Sequence, residues 1–150
     1  MKYIKPIIAV VLLIGLLILV KVTMPKDAGI LSKYQIITLK GGTFDLDVKV
    51  LITDDTLFAA KYIHENNGAI VEPGDLDARG STFGTLQGST PIIWLPTDFT
   101  TPVANHELFH ATINLMEWAG IPLHNNTEEA YAYEMQQLSN EFYNQIKPTK

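Results

Sequence analysis

The chain has 150 residues, a length that fits one domain with at most a short appendage. It contains 16 acidic and 11 basic residues, and three of the basic ones, Lys2, Lys5 and Lys21, fall within the first 21 positions, where there is no acid. The remainder is therefore strongly acidic, which argues against a nucleic-acid partner, because phosphate binding needs basic patches. The absence of cysteine excludes disulfides, thiolate metal sites and a cysteine nucleophile.

The first 21 residues are dominated by an apolar run. Ile7 to Val20 is uninterrupted, and with Tyr3 and Ile4 the run approaches the ~17 residues that can just span a bilayer core. We therefore predict a transmembrane signal-anchor at residues 1–21 that contacts the membrane through residues 4–20. A cleaved signal peptide is one alternative, although no small-x-small cleavage site follows the run. A buried core helix is the other.

The residues that flank the apolar run predict the topology and the domain boundaries. Lys2, Lys5 and the amino terminus slightly outweigh the basic residues on the other side, which favours a single-pass protein whose globular domain is extracytoplasmic. Residues 22–29 contain the proline, glycine and charges typical of a short tether. Residues 30–150 are then the globular domain.

Short runs rich in β-branched and aromatic residues predict the strands. Tyr34–Leu39 is one, and Phe44–Thr53 begins with apolar residues alternating with charged ones, which indicates a strand with one wet face. The glycine-rich stretch 73–89 predicts turns and a hairpin. Ile92–Leu95 stands between two prolines, and because proline cannot donate to a ladder, we expect this strand at an edge of the sheet.

Capping residues and stop signals predict three helices. The first covers residues 54–66, from an aspartate cap to a glycine stop. The second covers residues 100–119 and has a proline in its first turn, a position that proline prefers. The third covers residues 127–146, with Glu128 and Glu129 in its first turn, where acids interact favourably with the helix dipole.

The second predicted helix contains the H-E-x-x-H pattern His106-Glu107-Leu108-Phe109-His110. Histidines four residues apart lie on the same helix face, where one tetrahedral metal ion can take a ring nitrogen from each. Glu107 follows the first histidine and can face a water on that metal. The pattern therefore predicts Zn²⁺ bound by His106 and His110, with Glu107 as the catalytic general base.

Two histidines leave zinc short of one protein ligand, and three later residues can complete the site. His124, Glu128 and Glu129 are the next metal-binding side chains along the chain. The link that precedes the third helix, residues 120–127, is long enough when extended to bring the first turn of that helix back to the histidines.

The motif and its surroundings resemble a known family. HELFH is followed by 18 residues and then by Glu129 in the segment EEAYA, which resembles the gluzincin metallopeptidases, the group that includes thermolysin and the zinc aminopeptidases. The longer pattern of TPIIWLP, HELFHATINLMEWAGIP and EEAYAY is similar to small metallopeptidase-like proteins encoded by bacteriophages. The resemblance covers about residues 75–140. It implies an α+β fold, a minimal zincin-like domain with a small sheet, an edge strand, the motif helix and a following ligand helix.

The resemblance implies a role for each matching position. His106, His110 and Glu129 would bind zinc, and Glu107 would be the general base. Glu128 remains an alternative to Glu129 as the third ligand.

The chain departs from the gluzincin pattern around the ligands. Thermolysin has an aspartate four residues after its third ligand, where this chain has Tyr133. A tyrosine or histidine that stabilises the transition state in the family has no evident counterpart among the few residues that follow Glu129. Tyr131, Tyr143 and His124 are the candidates for that role, and Tyr133 for orienting a ligand.

These observations predict zinc-dependent hydrolysis of a peptide bond in a protein, peptide or peptidoglycan cross-link, with an extended substrate docked on Ile92–Leu95. Two other interpretations remain open. One is a non-catalytic, zinc-binding zincin-like module with a structural or interaction role, of the kind a phage protein would use. The other is a membrane-tethered interaction domain without metal.

Overall fold

The structure, a computed structural model, describes residues 34–41, 46–76, 79–84, 89–124 and 126–146. They belong to one unit, Lys33–Lys150, and form a small α+β fold. Its elements in chain order are β1 (Tyr34–Leu39), β2 (Val48–Thr53), α1 (Thr56–Asn67), a 3₁₀ turn (Pro73–Leu76), β3 (Ser81–Phe83), β4 (Ile92–Leu95), α2 (Thr101–Trp118) and α3 (Glu128–Gln145).

The helices begin and end where local signals place them. Asp55 caps α1, because its Oδ1 accepts a hydrogen bond of 2.9 Å from the Phe58 amide. Gly68 then ends α1 in the left-handed conformation with φ 84°, which a glycine adopts without steric cost. Pro102 lies in the first turn of α2, and Gly120, with φ 73°, follows its end. The three predicted helices are confirmed, and each observed end differs from the predicted one by at most two residues.

The four strands form one mixed sheet in the order β1-β2-β4-β3. β1 and β2 are antiparallel, β2 and β4 are parallel, and β3 is antiparallel to β4. β4 is therefore an inner strand, and the prediction that Ile92–Leu95 lies at an edge is wrong. The edge on that side is β3, from the glycine-rich stretch in which a hairpin was predicted.

The prolines beside β4 do not interrupt its ladder because they lie just outside it. Pro91 contributes its carbonyl, which accepts a hydrogen bond of 2.9 Å from the Lys49 amide in β2. Pro96 follows the last residue of the strand. All four residues of β4 are buried, as expected for a strand that is covered on both faces.

Helices cover both faces of the sheet. On one face α2 and α3 pack against a core cluster made of Ile37, Leu39, Val48, Val50, Ile52, Ile93, Leu95, Ala104, Leu108, Ala111, Leu115, Leu138 and Phe142. On the other face α1 and the 3₁₀ turn pack against a second cluster made of Leu51, Ala59, Ala60, Ile63, Leu76, Ile92 and Trp94. The helix that carries the H-E-x-x-H motif is thus fixed to the sheet by its apolar side.

The predicted membrane association is corrected here. No helix in the described ranges is long and apolar enough to cross a bilayer. The segment for which the span was predicted, residues 4–20, lies outside those ranges. The α+β class agrees with the structure, whereas the zincin-like character of the domain stays a prediction. The predicted transmembrane helix is wrong for the described residues, and a single-pass membrane localisation is not part of the function proposed below.

Candidate metal and catalytic site

The two histidines of the motif lie side by side on the exposed face of α2. Both side chains are exposed, and their Nε2 atoms are 3.1 Å apart. The rings meet almost at right angles, with an interplanar angle of 84°. The i, i+4 spacing on the helix has thus brought the two nitrogens to one point, as the sequence predicts.

This separation fits a shared metal ion. Two nitrogens at ~2.0–2.1 Å from a tetrahedral zinc ion lie roughly 3.3–3.4 Å apart. The 3.1 Å between the Nε2 atoms of His106 and His110 is close to that value. The same distance also fits a hydrogen bond from a protonated to an unprotonated ring nitrogen, so the geometry admits a metal without requiring one.

Glu107 is buried against the edge strand of the sheet, whereas the two histidines are exposed. Its side chain is only 6% exposed, and its Oε2 accepts a hydrogen bond of 2.7 Å from the Thr82 hydroxyl. Thr82 belongs to β3, the edge strand, and its hydroxyl also lies 3.0 Å from the Glu107 carbonyl oxygen. A buried carboxylate is thereby held in place by a neutral donor instead of a cation.

A cleft lies between β3 and α2, and both Glu107 and His110 line it. Its volume is about 500 Å³, and its opposite wall is the backbone of β3 with its flanking glycines. A methyl group added to Gly80 would lie 3.1 Å from Cγ of Glu107, a separation tighter than ordinary packing. The lack of a side chain at Gly80 is therefore what lets the strand approach the buried glutamate so closely.

Glu129 does not join the histidines in the described structure. It is exposed on the first turn of α3, as is Glu128. No group of three or more His, Cys, Asp or Glu side chains within residues 34–41, 46–76, 79–84, 89–124 and 126–146 is placed to hold a metal ion. The expectation of a complete metal-binding group is corrected accordingly, whereas the role of Glu129 as a ligand stays a prediction.

The register between the two antiparallel helices explains why Glu129 is distant. The Thr112 hydroxyl lies 3.7 Å from Sδ of Met135, and the Tyr143 hydroxyl donates a 2.9 Å hydrogen bond to Oδ1 of Asn105. With Thr112 beside Met135, Glu129 is level with the end of α2. It is about 12 Å along the helix axis from His110 at ~1.5 Å per residue.

The link between α2 and α3 is compact instead of extended, which sets this register. The Thr127 hydroxyl donates a hydrogen bond of 2.7 Å to the Pro122 carbonyl, and the hydroxyl oxygen accepts a hydrogen bond from the His124 amide. The Tyr131 hydroxyl donates a 2.9 Å hydrogen bond to the Ile121 carbonyl. The link is long enough to extend back to the histidines, but it does not do so. Its local hydrogen bonds hold the start of α3 close to the end of α2 instead.

The predicted supporting residues lie elsewhere. Tyr131 is 4% exposed and bonded to the link, and burial, together with the charge of Glu117, raises the pKa of its hydroxyl. Nδ1 of His124 accepts a 3.3 Å hydrogen bond from the Asn126 amide in the link. Tyr133 is 69% exposed. Their observed contacts therefore give none of the three a place beside the histidines.

Two polar residues near the core were not anticipated from the sequence. Thr82 was hidden in a glycine-rich stretch with no signal of its own, and only the strand order brings it to Glu107. Glu134 is 4% exposed on α3, and its Oε1 has no hydrogen-bond partner. Its place in an i, i+3, i+7 spacing with Tyr131 and Leu138 on the buried face of α3 was the signal available for it.

Comparisons with protein-family models, with curated proteins and with solved structures found no match to this chain. The resemblance to the gluzincins therefore rests on the motif and its spacing in the sequence, and it stays a prediction.

Proposed function

We propose that this chain is a zinc-dependent peptidase in which His106 and His110 bind the metal and Glu107 is the general base. The observation that carries the proposal is the convergence of the two Nε2 atoms, 3.1 Å apart, next to the buried Glu107, which lines one cavity with His110 and another with His106. Glu129 is the proposed third ligand, which requires the first turn of α3 to move along α2 toward His110 when the metal binds.

Glu107 and Thr82 would each have a role in the proposed hydrolysis. Zinc, when bound, polarises a substrate carbonyl and lowers the pKa of a coordinated water to ~7. Glu107 would accept a proton from the attacking water and would pass it to the leaving amine. Because Thr82 engages Oε2 of Glu107, the other carboxylate oxygen is the one left for proton transfer. The Thr82 hydroxyl then keeps the base in one orientation throughout.

The substrate that fits this cleft is an extended peptide segment. β3 pairs with β4 on one side only, and within the described ranges no strand pairs with its other edge. A peptide that adds to this free edge would run along the cleft past His110. β3 thus replaces Ile92–Leu95 as the proposed docking strand for a protein, peptide or peptidoglycan cross-link.

Metal content and turnover together test the proposal. We expect one zinc per chain in the wild type, loss of zinc in His110→Ala, and retained zinc without peptide hydrolysis in Glu107→Gln. His64→Ala is the matched control, because His64 is an exposed histidine on α1, away from the motif. A purified wild-type chain that binds no zinc would refute the proposal.

One observation favours a second candidate, a zinc-binding module without catalysis. Tyr131 is bonded to the link, Tyr133 is exposed, and neither supplies a donor for the charge that develops on the substrate oxygen. For such a module, Glu107→Gln would retain zinc as in the first proposal, but the wild type would hydrolyse no peptide in a broad library.

A further inference from the structure

A second cavity, of about 450 Å³, lies where the parallel strands β2 and β4 end. Asp54 directly follows β2 and lines it, and Trp94 of β4 forms part of its wall. Leu76, Phe99 and Val103 add further apolar surface. The crevice outside the carboxyl ends of parallel strands is a common place for ligands in α/β sheets. The volume is sufficient for a long amino-acid side chain.

This cavity adjoins the site of the motif. Arg79 and Val103 line it, and both also line a smaller cavity of about 290 Å³ whose wall includes His106 and Glu107. Val103 precedes His106 by three residues, about 4.5 Å along the helix axis. An extended peptide advances ~3.3 Å per residue, so a side chain one or two positions from a bond held at the histidines reaches the larger cavity.

The charges of the larger cavity are arranged asymmetrically. Arg79 lies at the junction, since it lines both cavities, whereas Asp54 and Asp98 line only the larger one. Hydrogen bonds from the hydroxyl and the main-chain amide of Thr97 lower the pKa of Asp54, so its carboxylate stays ionised. Asp98 is exposed and forms no ion pair with a described residue.

A cavity lined by apolar residues and two carboxylates suits the side chain of a lysine or arginine. The aliphatic stem of a lysine or arginine packs against apolar surface while its charged head remains among polar groups. A hydrogen bond between such a head and a carboxylate is charge-assisted and stronger than a neutral one. An acidic side chain would instead meet Asp54 and Asp98 after passing Arg79, and would be repelled.

We infer that this cavity, hereafter the acidic pocket, is a specificity pocket that takes the side chain of a lysine or arginine close to the bond that is cut. The inference rests on the proposed peptidase function, because it assumes that a peptide lies along the cleft with a bond at the histidines. Asp54 and Asp98 are then the specificity-determining residues.

Matched substrates test the inference in the zinc-loaded full chain. Fluorogenic peptides with mixed flanking residues would carry lysine, norleucine or glutamate at each of three positions on either side of the cleaved bond. We expect lysine to exceed its uncharged analogue norleucine in kcat/KM by about tenfold at one position. Asp98→Asn and Asp54→Asn should each lower that ratio by about threefold or more.

Glu72→Gln is the matched control for charge, because Glu72 is an exposed acid that does not line the acidic pocket. It should leave the lysine-to-norleucine ratio unchanged. A wild-type ratio near one at every position, or a ratio that neither aspartate substitution alters, would overturn the inference.

A binding measurement separates this inference from the proposed function. Fluorescence anisotropy on Glu107→Gln would give the Kd of the lysine and norleucine peptides without turnover. We expect lysine to bind about tenfold more tightly, and Asp98→Asn in that background to remove most of the difference. If the wild type cleaves nothing while this preference is present, the proposed function fails and the pocket stands; equal Kd values would refute the pocket.

Discussion

Thr82 connects the edge strand of the sheet to the proposed general base. Its hydroxyl is 2.7 Å from Oε2 of Glu107, and the strand that carries it is only three residues long. A hydrogen bond to a charged group contributes about 1.5–3 kcal/mol. Loss of this bond would leave a largely buried carboxylate without its donor and free to change its orientation.

We therefore predict that Thr82→Val lowers kcat by about tenfold or more while the zinc content stays that of the wild type. Thr82→Ser, which retains the hydroxyl, should recover most of the activity. Steady-state kinetics with metal analysis of all three proteins would check this. Equal kcat for Thr82→Val and the wild type would show that the contact does not position Glu107.

Glu134 is a buried carboxyl group whose placement costs stability. Burial, together with the negative charge of Glu141, raises its pKa above the ordinary value, and Oε1 has no partner. The folded state therefore holds a proton that the unfolded state releases from about pH 4.3 upward. Between that pH and the raised pKa the free energy of unfolding falls as pH rises, and above it the loss is complete.

Replacement of Glu134 by methionine should remove this loss. We expect Glu134→Met to raise the free energy of unfolding by about 1–3 kcal/mol at pH 8 and by less at pH 4. Urea denaturation at both pH values would measure it. Gln136→Met, on the exposed side of the same helix, should change stability by less than about 0.5 kcal/mol at either pH. An equal gain from both substitutions would contradict this account.

Helices and strands whose ends depend on nearby residues could be predicted from the sequence. The positions of strands within the sheet could not, because they depend on residues far away in the chain. The cap at Asp55 and the stop at Gly68 define α1 within a few residues of sequence. The position of β4 depends instead on β2, more than 40 residues earlier, which pairs with it in parallel. The prolines that flank β4 are compatible with an edge or an inner strand, so they could not decide between the two.

The candidate metal site shows the same division. The convergence of His106 and His110 follows from helix geometry alone and was predicted. The position of Glu129 depends on how two helices pack, and the hydrogen bonds of Thr127 and Tyr131 in the link set that register. Neither the length of the link nor the preference for acids in the first turn of α3 predicts the register between the two helices.

Whether the first turn of α3 moves to the metal can be measured. We predict that Glu129→Gln weakens zinc binding by about a hundredfold or more, since even partners outside the ligand shell are worth 10–100-fold. Glu128→Gln, the same change one residue earlier, should have little effect. A competition titration with a chromophoric chelator would give both affinities. Unchanged zinc affinity in Glu129→Gln would indicate that the third ligand lies elsewhere.

At the scale of the whole molecule, zinc bound to α2 would stabilise the fold, because α2 packs against the sheet and against α3. We predict that zinc at a hundred times its Kd raises the free energy of unfolding by about 2.7 kcal/mol, with a higher Tm. A chelator should reverse the shift. His106→Ala should show neither effect, and a wild-type Tm that responds to neither zinc nor chelator would contradict the prediction.

The inner position of β4 also has a consequence for how the chain is made. β1 and β2 are synthesised first, but the second edge of β2 is covered only by β4, whose last residue is Leu95. Until that part of the chain has left the ribosome, the apolar edge around Val50 and Leu51 has no native partner. Nascent chains in which Leu95 is still inside the exit tunnel should therefore recruit chaperones, and release from them should coincide with the emergence of β4.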